Sequence, residues 1–183
     1  MGVAEPGRWR LTDFVLAELV VLTILSAVAV AFGGARALPW TTAAERDADA
    51  NSAVAAAAER SVSAFLDVDY RDIDNRSDRV IKLSTGGFRQ EYSDRATDLR
   101  IATQRAQSVT TGTIRAVGVH GVEGRQANAV VAADTVVTST ATRKLKASRS
   151  CPHDGARCDR YRFLVTLTRV GDRWLMSDLA EVP

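Results

Sequence analysis

The sequence predicts an α+β protein, in which a single N-terminal transmembrane helix is followed by a cone-like domain of three helices packed on a curved, four-stranded antiparallel sheet. Three observations support this fold class. A run of 22 residues at 14–35 contains one charged side chain, Glu18. Apolar residues then recur at helical spacing from residue 41 onward, and from residue 109 the apolar period changes to two. The 183 residues, 46% of them hydrophobic, suffice for one mid-sized domain.

The apolar run is long enough to cross a membrane, because a helix needs about 20 apolar residues to span the hydrocarbon core. Trp9 and Trp40 flank the run, and we expect their rings to anchor at the two membrane interfaces. The sequence therefore divides into a short cytoplasmic tail at 1–13, a transmembrane helix at 14–38, a stalk or helix start at 39–50, and an extracytoplasmic α+β domain at 51–183.

A cleaved signal peptide is the alternative interpretation of this run. Ala35-Arg36-Ala37 fits a small-x-small cleavage site, but the run exceeds the roughly 7–15 apolar residues of a signal peptide. Arg8 and Arg10 precede the run, so the positive-inside rule slightly favours a cytoplasmic N-terminus in a single-pass plasma-membrane protein. The net charge of +2 excludes nucleic-acid binding driven by overall charge.

The two cysteines, Cys151 and Cys158, flank a turn-rich segment that can bring them together. An even number of cysteines in an exported domain predicts a disulfide, and closing so short a loop stabilises the fold by about 2–3 kcal/mol. The alternative is a pair of free thiols in a cytosolic domain. His153 is the only nearby nitrogen ligand, whereas a structural zinc site needs four ligands. We therefore expect no metal, and no cofactor.

Three helices are expected before the sheet. The first covers residues 41–70, the second begins near Ser77 as N-cap, and the third begins near Phe88. Gly86 can supply the left-handed residue that ends the second helix. The apolar face of the first helix contains Val54, Ala58, Val62, Phe65 and Leu66, and that of the third contains Tyr92, Ala96 and Leu99.

Four antiparallel strands are expected after the helices. The first spans 109–120, with alternate residues from Val109 to Val119 on one face, and a turn at 121–124 follows. The second spans 127–140, the third carries Tyr161, Phe163, Val165 and Leu167 on one face, and the hairpin Gly171-Asp172 leads into a fourth at 173–177.

Three stretches then resemble a known family. They are SAFLDVDY at 63–70, TGGF at 85–88 followed by Tyr92, and VTLTRVGDRWLMSDL at 165–179. Together with one N-terminal membrane helix, their order and spacing over about residues 14–180 resemble the actinobacterial Mce-associated membrane proteins, where Mce stands for mammalian cell entry.

This resemblance implies a nuclear-transport-factor-2-like cone outside the plasma membrane. It also implies a non-enzymatic accessory protein that assembles with or stabilises an Mce-type lipid import complex. The expected partners are therefore Mce-type transporter subunits and the lipid bilayer, without nucleic acid.

Candidates for chemistry are few. His120 lies beside a predicted turn, His153 lies in the cysteine loop, and Asp134 lies in the middle of a strand, where it could face either into the cone or outward. Neither a glycine-rich phosphate loop nor a nucleophile elbow is present. The sequence therefore assigns no catalytic residue.

Candidate contact residues are a local basic patch and one tryptophan. The patch suits anionic lipid headgroups or an acidic partner, although such loops are more often solvated surface. Core packing is the default role of the tryptophan, and a lipid or partner groove is the alternative. These residues are Arg143, Lys144, Lys146, Arg149 and Trp174.

Two hypotheses follow for the function. An accessory protein that acts by protein contact predicts a shallow or apolar-filled cone. A small-ligand (lipid) binding or enzymatic cone domain predicts a pocket of a few hundred Å³ with converging polar groups.

Overall fold

The computed structural model describes residues 39–182, with side chains from residue 42 onward. The predicted tail and transmembrane helix, Trp9 and the side chain of Trp40 therefore lie outside the described residues. Within the part of the chain that is described, no helix is long and apolar enough to cross a membrane.

Among residues 39–182, an α+β architecture of three helices and one antiparallel sheet is confirmed. The elements in chain order are α1 (Pro39–Leu66), β1 (Val68–Asp69), α2 (Ile73–Lys82), α3 (Gly86–Ala106), β2 (Val109–Glu123), β3 (Gln126–Thr138), β4 (Ala156–Val170) and β5 (Arg173–Glu181). The strands follow one another across the sheet in the order β1-β2-β3-β4-β5.

The sheet has five strands, so the prediction of four was wrong. The additional strand, β1, is two residues long and pairs with the first two residues of β2. A strand of two residues is too short to show an apolar period of two. Because residues 41–70 also lack glycine and proline, the sequence pattern predicts that the first helix continues through β1 to residue 70. The helix ends at Leu66 instead, and the carboxylate of Asp69 accepts a hydrogen bond from the backbone N–H of Arg71 in a local turn that competes with helix.

The second helix also begins earlier than predicted. It starts at Ile73 after Asp72, and Ser77 is a buried residue inside α2 and not its N-cap. Gly86 has the expected positive φ of 58°, but it opens α3, while Leu83 ends α2 in the right-handed region.

Helix α1 supplies the helical side of the hydrophobic core. Its buried residues recur at helical spacing. They pack against the inward faces of strands β3, β4 and β5. The helix contributes Val54, Ala57, Ala58, Val62 and Leu66, and the strands contribute Ala127, Ala129, Val131, Ala133, Phe163, Val165, Leu167 and Met176. Alanines on both surfaces leave room for the helix to lie close to the sheet.

Gly112 marks a close approach between β2 and α1. A Cβ atom at this position would lie 2.6 Å from the Cβ and 2.9 Å from the Cδ1 of Leu66. Because a Cβ cannot move away as the tip of a long side chain can, only glycine fits here without displacing the helix end.

Strand β2 does not keep one face toward the core. Register shifts lie at Arg115 and His120. The odd-numbered residues of 111–115 are exposed, whereas Val117 and Val119 are half-buried against the core, so the predicted single face is wrong. Each bulge adds one residue, which reverses the alternation of side chains and bends the strand.

The hairpin predicted at Gly171-Asp172 is confirmed. Val170 pairs with Arg173, and Gly171 has a φ of 60°, which glycine adopts without steric cost. The following strand is longer than predicted, and its edge is covered by the α2–α3 turn. Thr85 donates its backbone N–H to the carbonyl of Met176 at 2.8 Å, which protects an otherwise open sheet edge.

We predict that Gly112→Ala lowers the free energy of unfolding by about 1–3 kcal/mol, because the new methyl overpacks against Leu66. Urea denaturation of the full chain measures this change in the free energy of unfolding. Gly118→Ala is the matched control, since a Cβ at this exposed position of the same strand meets nothing within 4 Å. Equal effects of the two substitutions would contradict the close approach.

Candidate ligand-binding cavity

A large open cavity lies between the inner face of the sheet and helix α3, beyond the C-terminal end of α1. Its volume is about 1370 Å³. α3 forms one wall with a face of residues at helical spacing, and β4 and β5 form the floor. The lining residues include Phe65, Phe88, Glu91, Tyr92, Arg95, Asp98, Leu99, Ala102, Arg157, Tyr161, Phe163, Asp178 and Glu181.

Five aromatic rings line this cavity and contact one another. Phe65, at the end of α1, lies 6.3 Å from Phe88, 6.4 Å from Tyr92 and 6.2 Å from Phe163, measured between ring centroids. Phe88 stacks on Tyr92 at 5.9 Å, and Tyr161 stacks on Phe163 at 5.5 Å. We call these five residues the aromatic cluster. Such contacts stabilise beyond the apolar area they bury, so the cluster is a preformed apolar surface.

Burial raises the pKa of the Tyr92 phenol, and a hydrogen bond with the Ser77 side chain partly opposes this shift. Tyr92 is therefore neutral at physiological pH, as a tyrosine of ordinary pKa also is. The phenol therefore contributes a hydroxyl group and no charge to this part of the cavity.

The residues that the sequence offered for chemistry lie away from the cavity. His120 is exposed at a bulge of β2, and His153 is exposed in the loop between the cysteines. Asp134 faces outward, where its Oδ2 accepts a hydrogen bond from the Nε of Arg115 at 2.7 Å. None of the three is among the residues that line the cavity.

The aspartates at the junction of α1, β1 and α2 form an ion-pair network with arginines. Both carboxylate oxygens of Asp69 accept hydrogen bonds from the Arg71 guanidinium, at 2.8 and 2.6 Å. Arg76 pairs with Asp67, and Arg79 lies 3.3 Å from the same carboxylate. The hydrogen bonds from Arg71 hold the pKa of Asp69 well below its ordinary value, at about 2.

The structure brings Cys151 and Cys158 together as a disulfide, with their Cα atoms 5.2 Å apart. Thr142 organises the same loop, because its buried hydroxyl donates a hydrogen bond to the Gly155 carbonyl at 2.8 Å. Cys158 lies on β4 beside Arg157, a cavity residue, so the disulfide ties the loop to the cavity wall.

The predicted contact residues lie outside the main cavity. All four basic residues of the loop are exposed, and Arg143 donates a hydrogen bond to the Gln107 side chain at 3.2 Å. Trp174 is half-buried and lines a separate groove of about 360 Å³ with Ala53, Ala57 and Arg60 of α1. Their role as partner or lipid contacts stays a prediction.

Apolar periodicity puts the cavity aromatics on the faces of separate elements and carries no signal that these faces meet. Phe65, Tyr92 and Phe163 each stood on the correct apolar face of an element, and that periodicity was the available signal. Asp98 and Glu181 were not singled out, since an isolated acidic residue carries no pattern.

The comparisons place this chain in a protein family. A family model described as "Uncharacterized protein Rv1363c/MT1408-like" matches residues 14–183. The chain belongs to this family. "Uncharacterized protein Rv1363c" of Mycobacterium tuberculosis (strain ATCC 25618 / H37Rv) is 33% identical over 132 residues, which cover 72% of this chain and 46% of the relative. The chain thus spans about half the length of that curated Rv1363c/MT1408-like relative. The mycobacterial origin of the relative supports an actinobacterial family, whereas the association with Mce proteins stays a prediction.

Solved structures support the fold of this Rv1363c/MT1408-like protein. An IcmL-like type IV secretion system protein from Legionella pneumophila aligns with a TM-score of 0.53 and 10% identity, covering 70% of this chain and 89% of that one. CagV, a VirB8 homologue of the type IV secretion system of Helicobacter pylori strain 26695, aligns with a TM-score of 0.53 and 9% identity. The alignment covers 72% of this chain and 97% of CagV. At these identities the likeness shows the fold alone.

We predict that Asp69→Asn lowers the melting temperature at pH 7 and that this difference vanishes in acid. The folded pKa of about 2 lies below the unfolded value of about 3.9. The stabilisation is therefore fully present above pH ~4 and is lost as the pH falls through about 2. Thermal melts between pH 2 and 7 measure it. Asp74→Asn, in a looser pair with Arg100 at 3.7 Å, is the control, and a pH-independent difference for Asp69→Asn would refute the argument.

We predict that the double variant Cys151→Ser/Cys158→Ser still folds. Its free energy of unfolding is expected to fall by about 2–3 kcal/mol, because the bridge closes only a short loop. Urea denaturation measures the loss. Mass spectrometry of exported protein without reductant is expected to find both cysteines in one crosslinked peptide, and free thiols on both would count against the bridge.

Proposed function

We propose that this protein is a non-enzymatic binding module whose cavity takes a small ligand with an apolar body. The observation that supports this best is the open cavity of about 1370 Å³ with the aromatic cluster on its inner surface. Ligand pockets of about 300–1,000 Å³ lined mainly by apolar and aromatic side chains are the general pattern for small-molecule sites. A cone that acted by protein contact alone was expected to be shallow or filled.

The chemistry of the lining supports binding in preference to turnover. General acid–base catalysis needs a titratable group within hydrogen-bond reach of the reacting atom. Among the described lining residues there is no histidine, cysteine or lysine. The titratable acids of the lining are the Tyr92 phenol and four carboxylates, of which Glu91 is paired with Arg95 at 3.0 Å. The hydroxyl of Ser177, also in the lining, is hydrogen-bonded to Thr166 and Thr168 and not to a carboxylate that could activate it. His120→Ala and Asp134→Ala are therefore expected to leave ligand binding unchanged.

A second proposal concerns the cellular role. The apolar run at 14–35 and the resemblance to Mce-associated proteins support a single-pass plasma-membrane protein with an extracytoplasmic domain. In this role it assembles with or stabilises an Mce-type lipid import complex, and its partners are transporter subunits and the bilayer. The two proposals are compatible, since an accessory subunit can bind a ligand.

We predict saturable binding of N-phenyl-1-naphthylamine, a neutral apolar fluorophore, by the full chain in phosphatidylcholine nanodiscs, with empty nanodiscs as the blank. Leu99→Glu is expected to weaken binding about tenfold, since it places a charge on the apolar cavity wall, equivalent to about 1.4 kcal/mol. Ile101→Glu, two residues along α3 and outside the cavity lining, is the matched control. A cavity site would be contradicted if binding of the fluorophore did not saturate, or if the two substitutions weakened its affinity equally.

Affinity purification of the tagged protein from native membrane tests the accessory role. Mce-type subunits are expected to co-purify, and deletion of residues 51–183 is expected to lower the level of the transporter or its uptake rate. Purification without any such subunit, together with unchanged transporter levels after the deletion, would refute this role and leave the binding proposal standing.

A further inference from the structure

Negatively charged side chains outnumber positively charged ones in the described lining of the cavity. Its described lining contains two guanidinium groups, those of Arg95 and Arg157, against four carboxylates. The carboxylates belong to Glu91, Asp98, Asp178 and Glu181. An excess of negative charge around a cleft with low-dielectric walls raises the local concentration of cations and lowers that of anions.

Both guanidinium groups already have a carboxylate partner. Arg95 lies 3.0 Å from Glu91, and the Nε of Arg157 donates a hydrogen bond to Asp159 at 2.7 Å. That hydrogen bond raises the pKa of the Arg157 guanidinium. An anionic ligand would have to compete with these carboxylates for each cation, so the cavity offers an anion no unengaged positive group among its described lining residues.

The carboxylates of Asp98, Asp178 and Glu181 differ from that of Glu91, because none of the three has an ion-pair partner within the described part of the chain. Asp98, like Tyr92 and Leu99, lines the cavity from α3. Glu181 pairs in register with Phe163 across β4 and β5. Directly opposed residues of an antiparallel pair point to the same face, with Cβ atoms about 4.5–5.5 Å apart, so Glu181 stands beside the aromatic cluster.

The faces of the aromatic rings also favour a cation over an anion in this cavity. Rings attract a cation placed over them within about 6 Å, through their quadrupole. The aromatic cluster therefore suits both an apolar body and a cationic group, and the adjacent carboxylates suit only the cation.

We infer that the ligand of this cavity is an amphipathic cation: a small molecule with an aromatic or aliphatic body that contacts the aromatic cluster and an ammonium or guanidinium group that pairs with Glu181 and Asp98. The inference rests on the proposed binding function and names the ligand class of the same site. It disfavours a carboxylate or phosphate amphiphile as the occupant.

Three naphthalene probes of equal body and different charge test the inference. They are naphthylmethylammonium, naphthylmethanol and naphthylacetate, each competed against N-phenyl-1-naphthylamine on the full chain in phosphatidylcholine nanodiscs. The cation is expected to bind about tenfold tighter than the anion at low salt, because an exposed ion pair and a cation–π contact each contribute a few-fold. The preference is expected to shrink at high salt, where exposed charges are screened.

The double variant Asp98→Asn/Glu181→Gln is expected to abolish most of the preference for the cation while leaving the affinity for naphthylmethanol unchanged, which also reports that the cavity is folded. Glu123→Gln, an exposed carboxylate on β2 outside the cavity lining, is the matched control. Equal or tighter binding of naphthylacetate, or an unchanged preference in the double variant, would overturn the inference while the binding function stands. If no probe displaces the fluorophore and the fluorophore itself does not saturate, the binding function fails instead.

Discussion

The packing of α1 against the inner face of the sheet is the contact on which the rest of the domain depends. Val54, Ala58 and Val62 are fully buried along this helix, and they meet alanine and valine on the central strands. At the end of the same helix, Leu66 lies so close to Gly112 that no side chain fits between them. Because interiors are close-packed, this contact determines how far α1 extends over the sheet.

The position of the helix end in turn determines the cavity. Phe65 is the residue just before Leu66, and it contacts rings from α3 and from β4. Helix α3 is held over the sheet partly through this ring and partly through the α2–α3 turn, where Thr85 bonds to Met176 of β5. A shift of α1 by one residue would move Phe65 to another side of the helix and would remove the centre of the aromatic cluster.

The disulfide loop adjoins the cavity in the structure, because residues on both sides of the loop line the cavity. The loop joins β3 to β4, and both Val137 and Arg157, which flank it, line the cavity. The bridge to Cys158 ties the loop to β4 one residue beyond Arg157. The basic residues of the loop are exposed and outside the described lining of the cavity, where carboxylates outnumber guanidinium groups, so the two surfaces suit different partners.

Local sequence signals predicted the order of three helices before an antiparallel sheet, the hairpin at Gly171 and the proximity of the two cysteines. Apolar periodicity indicated the helices and strands, turn residues indicated the hairpin, and short spacing favoured the cysteine pairing, because each of these depends on residues close together in the chain. Long-range register decided the rest. The two-residue strand β1 exists only through its pairing with Val109 and Thr110, and the bulges of β2 reverse faces that simple alternation assigns. The cavity likewise combines Phe65, Tyr92, Phe163 and Glu181, which are separated by up to 116 positions in the sequence. A local pattern can place each on a face, but only the packing of helices on the sheet decides which faces meet.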